Sequence, residues 1–258
     1  MAEQNKGKEP EERQKRLLLV VDGDAAHLYY TSILLQRLEY NIHATKTAED
    51  ALEIVDVAAP ALVLTEIALA GTDGYEFLKK IKRNPRTFAI PVIVITSSRD
   101  PAVKEACLRD GCTAYFQKPA DPDALYAAIQ KATESQPRRY IRLNTCLNVS
   151  VGDGKAAEQS VISDYITALS EQGMYVSTLK PRAAGTLVPI TIFLEGSRIK
   201  VEGSVLYSFQ QGEGPIKTPG MGIKFTRIDP QDEARIKTFI TKELTKGLPV
   251  RRGGSPIF

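Results

Sequence analysis

Two sets of side chains in this 258-residue sequence have the types and spacing to do chemistry. The first is spread over residues 16–134: Asp22-Gly23-Asp24, Glu66, Thr96-Ser97 and Lys118-Pro119, each just past a short apolar run. Carboxylates gathered at one edge can hold Mg²⁺ through oxygen ligands, and a hydroxyl with a lysine can engage a phosphoryl group. The second set is compact. Arg138-Arg139-Tyr140-Ile141-Arg142 is the densest basic cluster of the chain, and Ala168-Leu169-Ser170-Glu171-Gln172-Gly173 follows with a serine and glycine at turn-like spacing. Each of these residues has a plain structural reading too, as a strand-ending polar group or a solvated hinge. What favours a site in the first set is the order in which four such groups recur.

For that set to converge, parallel strands must end at one edge. The apolar runs Leu17–Val21, Ile42–Thr45, Ala61–Thr65, Ile90–Ile95 and Ala114–Gln117 read as strands buried on both faces. Amphipathic stretches near 25–39, 47–58, 74–84, 99–110 and 121–134 read as helices between them. Thr47 with Asp50 resembles a capping box, and Asp121-Pro122 supplies an N-cap with proline at the first helical position. Five strands alternating with five helices imply a parallel sheet covered on both faces, with working groups past the carboxyl ends of the strands.

After Thr133–Pro137 the period changes to two. Ile141, Leu143, Thr145, Leu147, Val149 and Val151 alternate, as do Val188, Ile190, Ile192 and Leu194, then Ile199 and Val201, then Val205, Tyr207 and Phe209. Turns are expected at Glu195-Gly196-Ser197 and at Gly203-Ser204. Asp229-Pro230 then opens a terminal helix with Ile236, Phe239, Ile240 and Leu244 on one face. The expected organisation is a flexible tail at 1–15, an α/β domain at 16–134, a linker at 135–142, an antiparallel β-domain at 137–247 and a tail at 248–258.

Composition excludes several classes. Apolar content of 43% and charged content of 25% are globular values. No apolar run approaches the roughly 20 residues of a membrane helix, and the polar start does not read as a signal peptide, so a cytoplasmic location without membrane insertion is expected. Three cysteines (Cys107, Cys112, Cys146) are too few and too odd for a disulfide framework, and His27 and His43 sit near no cysteine pair. Chemistry based on histidine, thiols or a tightly held metal is not expected. The net charge of +3 hides a split: residues 16–134 carry 13 basic and 16 acidic groups, residues 135–258 carry 17 and 11. The β-domain has only one clear helix and does not read as a helix-turn-helix, so DNA is not an expected partner.

Leu18–Asp24, Ala61–Gly74 (ALVLTEIALAGTDG), Val92–Ser97 and Tyr115–Pro119, with GYEFLKKIK at 74–82, resemble the response-regulator receiver domain over about residues 16–134. The resemblance implies Mg²⁺ held by an acidic pair after the first strand and a phosphorylated aspartate after the third. It also implies a Thr or Ser and a Lys that sense the phosphoryl group, and an aromatic at Tyr115 that changes rotamer. This sequence departs from that pattern. Glu66 stands at the phosphoacceptor position, Gly23 replaces the second acid with Asp24 one residue late, and Ala70 replaces the usual loop proline. The longer glutamate carries its carboxylate toward the metal and phosphoryl positions, and a displacement of about 1 Å can cost on the order of 100-fold in a positioned reaction. A pseudo-receiver is therefore expected, in which Glu66 either pairs with Lys118 and imitates the phosphorylated state or belongs to a decayed site.

The RxxxR spacing of Arg138 and Arg142, the ALSEQG stretch and Pro219–Phe225 (PGMGIKF) resemble the PilZ domain over about residues 137–247. That resemblance implies a six-stranded antiparallel barrel with a terminal helix that binds cyclic di-GMP. Arg138, Arg139, Arg142, Ser170 and Gly173 fall on its binding positions. Arginine pairs bidentately with guanine O6 and N7, stacks on purines and matches phosphate oxygens. Ala168 departs from the Asp or Asn of the [D/N]xSxxG signature, and one lost hydrogen bond costs roughly 1–3 kcal/mol.

The expected protein is thus a non-enzymatic receptor for cyclic di-GMP with no resident cofactor. Nucleotide would order Arg138–Arg142 and reset the angle between the domains, relaying the signal through the receiver-like domain to signalling or motility proteins, with room for a homodimer. The alternative is an adaptor in which both ligand sites are vestigial; a phosphorylated response regulator is a third class.

Overall fold

The computed structural model describes residues 16–152, 164–214 and 217–248. Of the stretches read as tails, 1–15 and 248–258, the described residues include only Leu248. Among the described residues the chain divides into two compact units, one of residues 16–139 together with 244–248 and one of Tyr140–Glu243.

In the first unit, β1 (Leu17–Val21), β2 (Asn41–Thr45), β3 (Leu62–Thr65), β4 (Val92–Thr96) and β5 (Ala114–Gln117) form one parallel sheet in the order β2-β1-β3-β4-β5. The helices α1 (Ala25–Arg37), α2 (Ala48–Ala58), α3 (Gly74–Arg83), α4 (Pro101–Arg109) and α5 (Pro122–Thr133) alternate with them. β3 and β4 are buried at every position, whereas the edge strand β2 is mostly exposed or half-buried. That difference is why the central runs read as continuously apolar. Each helix start is capped by a side chain that accepts from the first turn: Asp24, Thr47, Asp73, Asp100 and Asp121. Thr47 supplies half of the expected capping box, since the Asp50 carboxylate accepts from the Thr45 hydroxyl at 3.1 Å. Phe77, Leu78 and Ile81 of α3 and Val55 of α2 pack with Leu19, Val63 and Val92 in one core cluster. The strand order reverses beside β1, where β1 is flanked by β2 and β3, and this puts the ends of β1 and β3 at the crevice of the sheet.

The second unit is a closed antiparallel barrel of β6 (Leu143–Val151), β7 (Tyr165–Ser170), β8 (Gly173–Ser177), β9 (Leu187–Leu194), β10 (Ser197–Phe209) and β11 (Gly220–Ile228), ordered β10-β11-β8-β7-β6-β9. β9 pairs with β10 and closes the ring. Alternate residues such as Val188, Ile190, Ile192 and Leu194 are buried inside. The helix α6 (Pro230–Thr245) follows, with Asp229 accepting from the Gln231 N–H at 2.8 Å and Ile236, Phe239, Ile240 and Leu244 all buried.

One expected turn is absent. Gly203-Ser204 lies inside the continuous 13-residue β10, with a register shift between Glu202 and Gly203. Glycine is required there by packing: a Cβ at Gly203 would sit 2.5 Å from Ile223 Cγ2 and 2.9 Å from Ile190 Cδ1. The true turn is Glu195-Gly196, where both residues have positive φ.

Candidate functional site

At the sheet crevice the chain ends of β1, β3 and β5 bring three charged groups together. The Lys118 ammonium lies 2.5 Å from Asp22 Oδ2 and 2.7 Å from Glu66 Oε2, and both carboxylates are under 5% exposed. His27, in the first turn of α1, places Nδ1 2.5 Å from the same Asp22 oxygen. The other Asp22 oxygen accepts from the Asp24 N–H at 2.9 Å. Burial works to raise the Asp22 carboxyl, but its bonds to His27 and Lys118 outweigh that and hold it below its ordinary value. Glu66 Oε1 accepts from the backbone N–H groups of Ile67 and Ala68, at 2.6 and 3.2 Å, and Oε2 accepts from Ser97 N–H at 3.3 Å. The loop that presents Glu66 closes where Gly74 N–H donates to Ile67 C=O at 2.9 Å. No side chain fits at that closure, because a Cβ on Gly74 would fall 1.8 Å from Glu66 C=O.

Asp24 and Thr96 take other work. Asp24 accepts from Ala26 and His27 N–H as the cap of α1, so its carboxylate serves the helix start. The Thr96 hydroxyl is almost fully buried and accepts from Ser98 N–H at 3.1 Å. What the end of β4 gives Glu66 is the backbone of Ser97.

On the barrel, β7 and β8 form a hairpin in which Ser170 pairs with Gly173 across Glu171-Gln172. The Ser170 hydroxyl donates to Gly173 C=O at 3.0 Å. Gly173 is needed for a close approach to the neighbouring strand, since a Cβ there would sit 2.4 Å from Ile223 C=O. Gln172 C=O accepts from Phe225 N–H at 2.9 Å, the Gln172 amide donates to Glu233, and Glu171 lies 3.5 Å from the Lys237 ammonium. Strand β11 and helix α6 therefore hold this turn. Of the basic cluster, Arg139 and Arg142 are exposed and Arg138 half-buried; Arg138 N–H donates to the Gln130 amide oxygen at 3.0 Å. An open groove of about 560 Å³ on the same barrel, among Gly152, Thr191, Lys200, Glu202 and Arg227, contains none of the expected residues.

Comparison with protein families finds a response regulator receiver domain at residues 18–130 and a PilZ domain at residues 135–242. The chain is a receiver domain followed by a PilZ domain. Over the receiver it is 28% identical to the response regulator Rre1 of Synechocystis across 120 residues, 46% of this chain and 52% of that protein. It is 36% identical to the transcriptional regulatory protein ZraR of Escherichia coli across 116 residues, 45% of this chain and 26% of that one. A probable cyclic di-GMP phosphodiesterase of Vibrio cholerae is 30% identical over 127 residues, 49% of this chain and 29% of its own length. The match thus spans about half of Rre1 and about a quarter of ZraR. Among solved structures, a putative response regulator from Chloroflexus aurantiacus aligns with 46% of this chain and 98% of its own at 25% identity and a TM-score of 0.45. Receiver and PilZ domains are domain types of signalling proteins that are typically non-catalytic. Among the described residues, no helix is long and apolar enough to cross a membrane.

The receiver thus brings together Asp22, Glu66 and Lys118 from the sequence-predicted set, and turns Asp24 and Thr96 to local bonds. His27 is the residue that sequence reasoning missed, having set histidine chemistry aside. Its only signal was its place three residues after the Asp24 cap, in a first helical turn that returns beside Asp22. In the PilZ barrel, Ser170 and Gly173 are adjacent as expected, but their close contacts are to each other and to β11.

Proposed function

We propose that this chain is a non-enzymatic, cytoplasmic second-messenger receptor. Cyclic di-GMP binds at the PilZ domain through Arg138, Arg139, Arg142, Ser170 and Gly173, and the receiver is a pseudo-receiver that relays the signal to partner proteins without phosphorylation. The observation that carries the pseudo-receiver is the Lys118 ammonium bridging Asp22 and Glu66. A receiver awaiting phosphate needs its carboxylates for Mg²⁺ and its lysine for the phosphoryl group. Here the lysine is already shared between both acids, His27 lies against the same Asp22 oxygen, and Asp24 caps a helix. This donor set does not fit Mg²⁺, which demands near-octahedral oxygen ligation. With that pocket satisfied internally, the exposed Arg142 on the PilZ side is the group offered to an anionic ligand.

Calorimetry of the full chain with cyclic di-GMP tests the ligand, and beryllofluoride with Mg²⁺ tests the receiver. Saturable heat that is lost in Arg142→Ala, with no Mg²⁺-dependent response to beryllofluoride, is the expected pair of results. Absence of heat at tens of micromolar nucleotide overturns the receptor; a Mg²⁺-dependent shift lost in Glu66→Gln overturns the pseudo-receiver. One observation favours a second reading, an adaptor with both sites vestigial: the Ser170 hydroxyl donates within its own turn, and Ala168 carries no polar group. That reading predicts no nucleotide response and a stable protein partner in pull-down.

A further inference from the structure

The barrel register supplies a polar group at the position where the binding signature lacks one. Asn144 on β6 is the direct partner of Ala168 on β7. In an antiparallel pair, directly opposed residues project from the same face with Cβ atoms about 4.5–5.5 Å apart. Burial alternates along the incoming segment: Ile141 and Leu143 are buried, while Arg142 and Asn144 are exposed. Asn144 therefore shares the outer face with Arg142, two residues before it, and with Ala168 beside it. Ser170, two residues along β7, is its diagonal neighbour, still within reach of a longer side chain.

On the other side of Ala168, the neighbouring ring turns toward β11. Its partner on β8 is Tyr175, whose ring leans away over β11: a Cβ at Gly220 would meet Tyr175 Oη at 2.7 Å and Cε1 at 2.8 Å. Gly222, the partner of Tyr175 on β11, is covered in turn by Tyr207. The rings lie on the glycine strand, and on the β6 side the residue directly opposite Ala168 is Asn144.

We infer that Asn144 supplies from β6 the nucleotide contact that an acid or amide at position 168 would otherwise make. A carboxamide offers two donors and a carbonyl acceptor in one plane, which suits the donor and acceptor pattern on the edge of a purine base. Arg142 on the same face provides the planar fork that matches guanine O6 and N7 or a phosphate. The pair places an amide and a guanidinium two residues apart on one exposed strip, a recognition set for a guanine nucleotide carrying phosphate. This inference rests on the cyclic-di-GMP reading of the PilZ domain given above.

The test is calorimetry of the full chain with cyclic di-GMP for wild type, Asn144→Ala, Ala168→Asn and the double variant. Thermal melts check that the exposed Asn144→Ala substitution leaves the fold intact. Losing one polar contact should weaken binding roughly 10- to 100-fold in Asn144→Ala. Ala168→Asn should recover much of that loss in the double variant and add less in the wild-type background, because both amides address one ligand edge. Wild-type heat with unchanged affinity in Asn144→Ala overturns the inference and leaves the receptor standing. Weakened binding with no recovery in the double variant also overturns it, since the two positions are then not equivalent. No heat from wild type overturns both readings together.

Discussion

In the receiver, Lys118, Asp22, Glu66 and His27 are mostly buried and satisfy one another, whereas on the PilZ side Arg139, Arg142 and Asn144 stand exposed. The contrast is one of solvation. Removing one partner from a buried ion pair leaves an uncompensated charge in low dielectric and typically costs 3–5 kcal/mol. An exposed charged group such as Arg142 contributes little to stability. Charged side chains are therefore part of the scaffold in the receiver, whereas in the PilZ domain they are proposed to meet the ligand. Sign follows the same division: the receiver half carries 16 acidic and 13 basic groups, and the basic excess lies in the half that holds the RxxxR segment.

The sharpest way to break this comparison is to exchange the consequences. Lys118→Met should lower stability by about 3–5 kcal/mol in urea unfolding, because Asp22 and Glu66 are then buried without their cation. Arg142→Ala should change stability by no more than about 0.5 kcal/mol while abolishing the nucleotide heat. Equal, small stability losses in both variants would erase the distinction.

A second comparison asks whether the receiver chemistry can be restored. Position 23 has room, since a Cβ at Gly23 would meet nothing closer than Ala68 C=O at 3.9 Å. The double variant Gly23→Asp, Glu66→Asp should gain a Mg²⁺-dependent beryllofluoride response at least about tenfold above the parent, measured by tryptic protection or fluorescence, given the roughly 100-fold sensitivity of such positioning. No gain would mean that His27 and Lys118, rather than the missing acids, keep the site closed.

Acid should act on the receiver first. Asp22 titrates below its ordinary value of 3.8 in the folded chain. The unfolded state then binds the proton more tightly, so the stabilisation is complete above that value and is lost as pH falls through it and further down. Asp22→Asn should flatten this acid limb in stability measured from pH 5 to 2.

The smallest effect concerns thiols. Cys146 is exposed on β6, while Cys107 and Cys112 are buried and burial pushes the Cys112 thiol up to about 11. At pH 8, one thiol should react quickly with an alkylating reagent and two slowly. Cyclic di-GMP should slow the fast thiol several-fold, read by mass spectrometry, if nucleotide covers the outer face of β6.

Much of this is legible in the sequence alone. Continuous apolar runs such as VIVIT, and acids or Asp-Pro pairs before helices, declare a parallel sheet with capped helices, because burial on both faces and helix capping are local demands on residue type. Alternation declares the barrel for the same reason. Ser170 and Gly173 could be placed on one turn, and Glu66 and Lys118 at one sheet edge, from strand ends alone. Tertiary structure decided the rest. That Gly203 is a packing residue and not a turn depends on Ile223 and Ile190, which come from other strands. That His27 joins Asp22 depends on the entry of α1 beside the end of β1. That Asn144 faces Ala168 depends on a register between strands whose pairing no local pattern specifies. Local sequence sets which face each side chain takes; only the assembled sheet and barrel determine which side chain it meets there, because cross-strand neighbours are chosen by packing of the whole core.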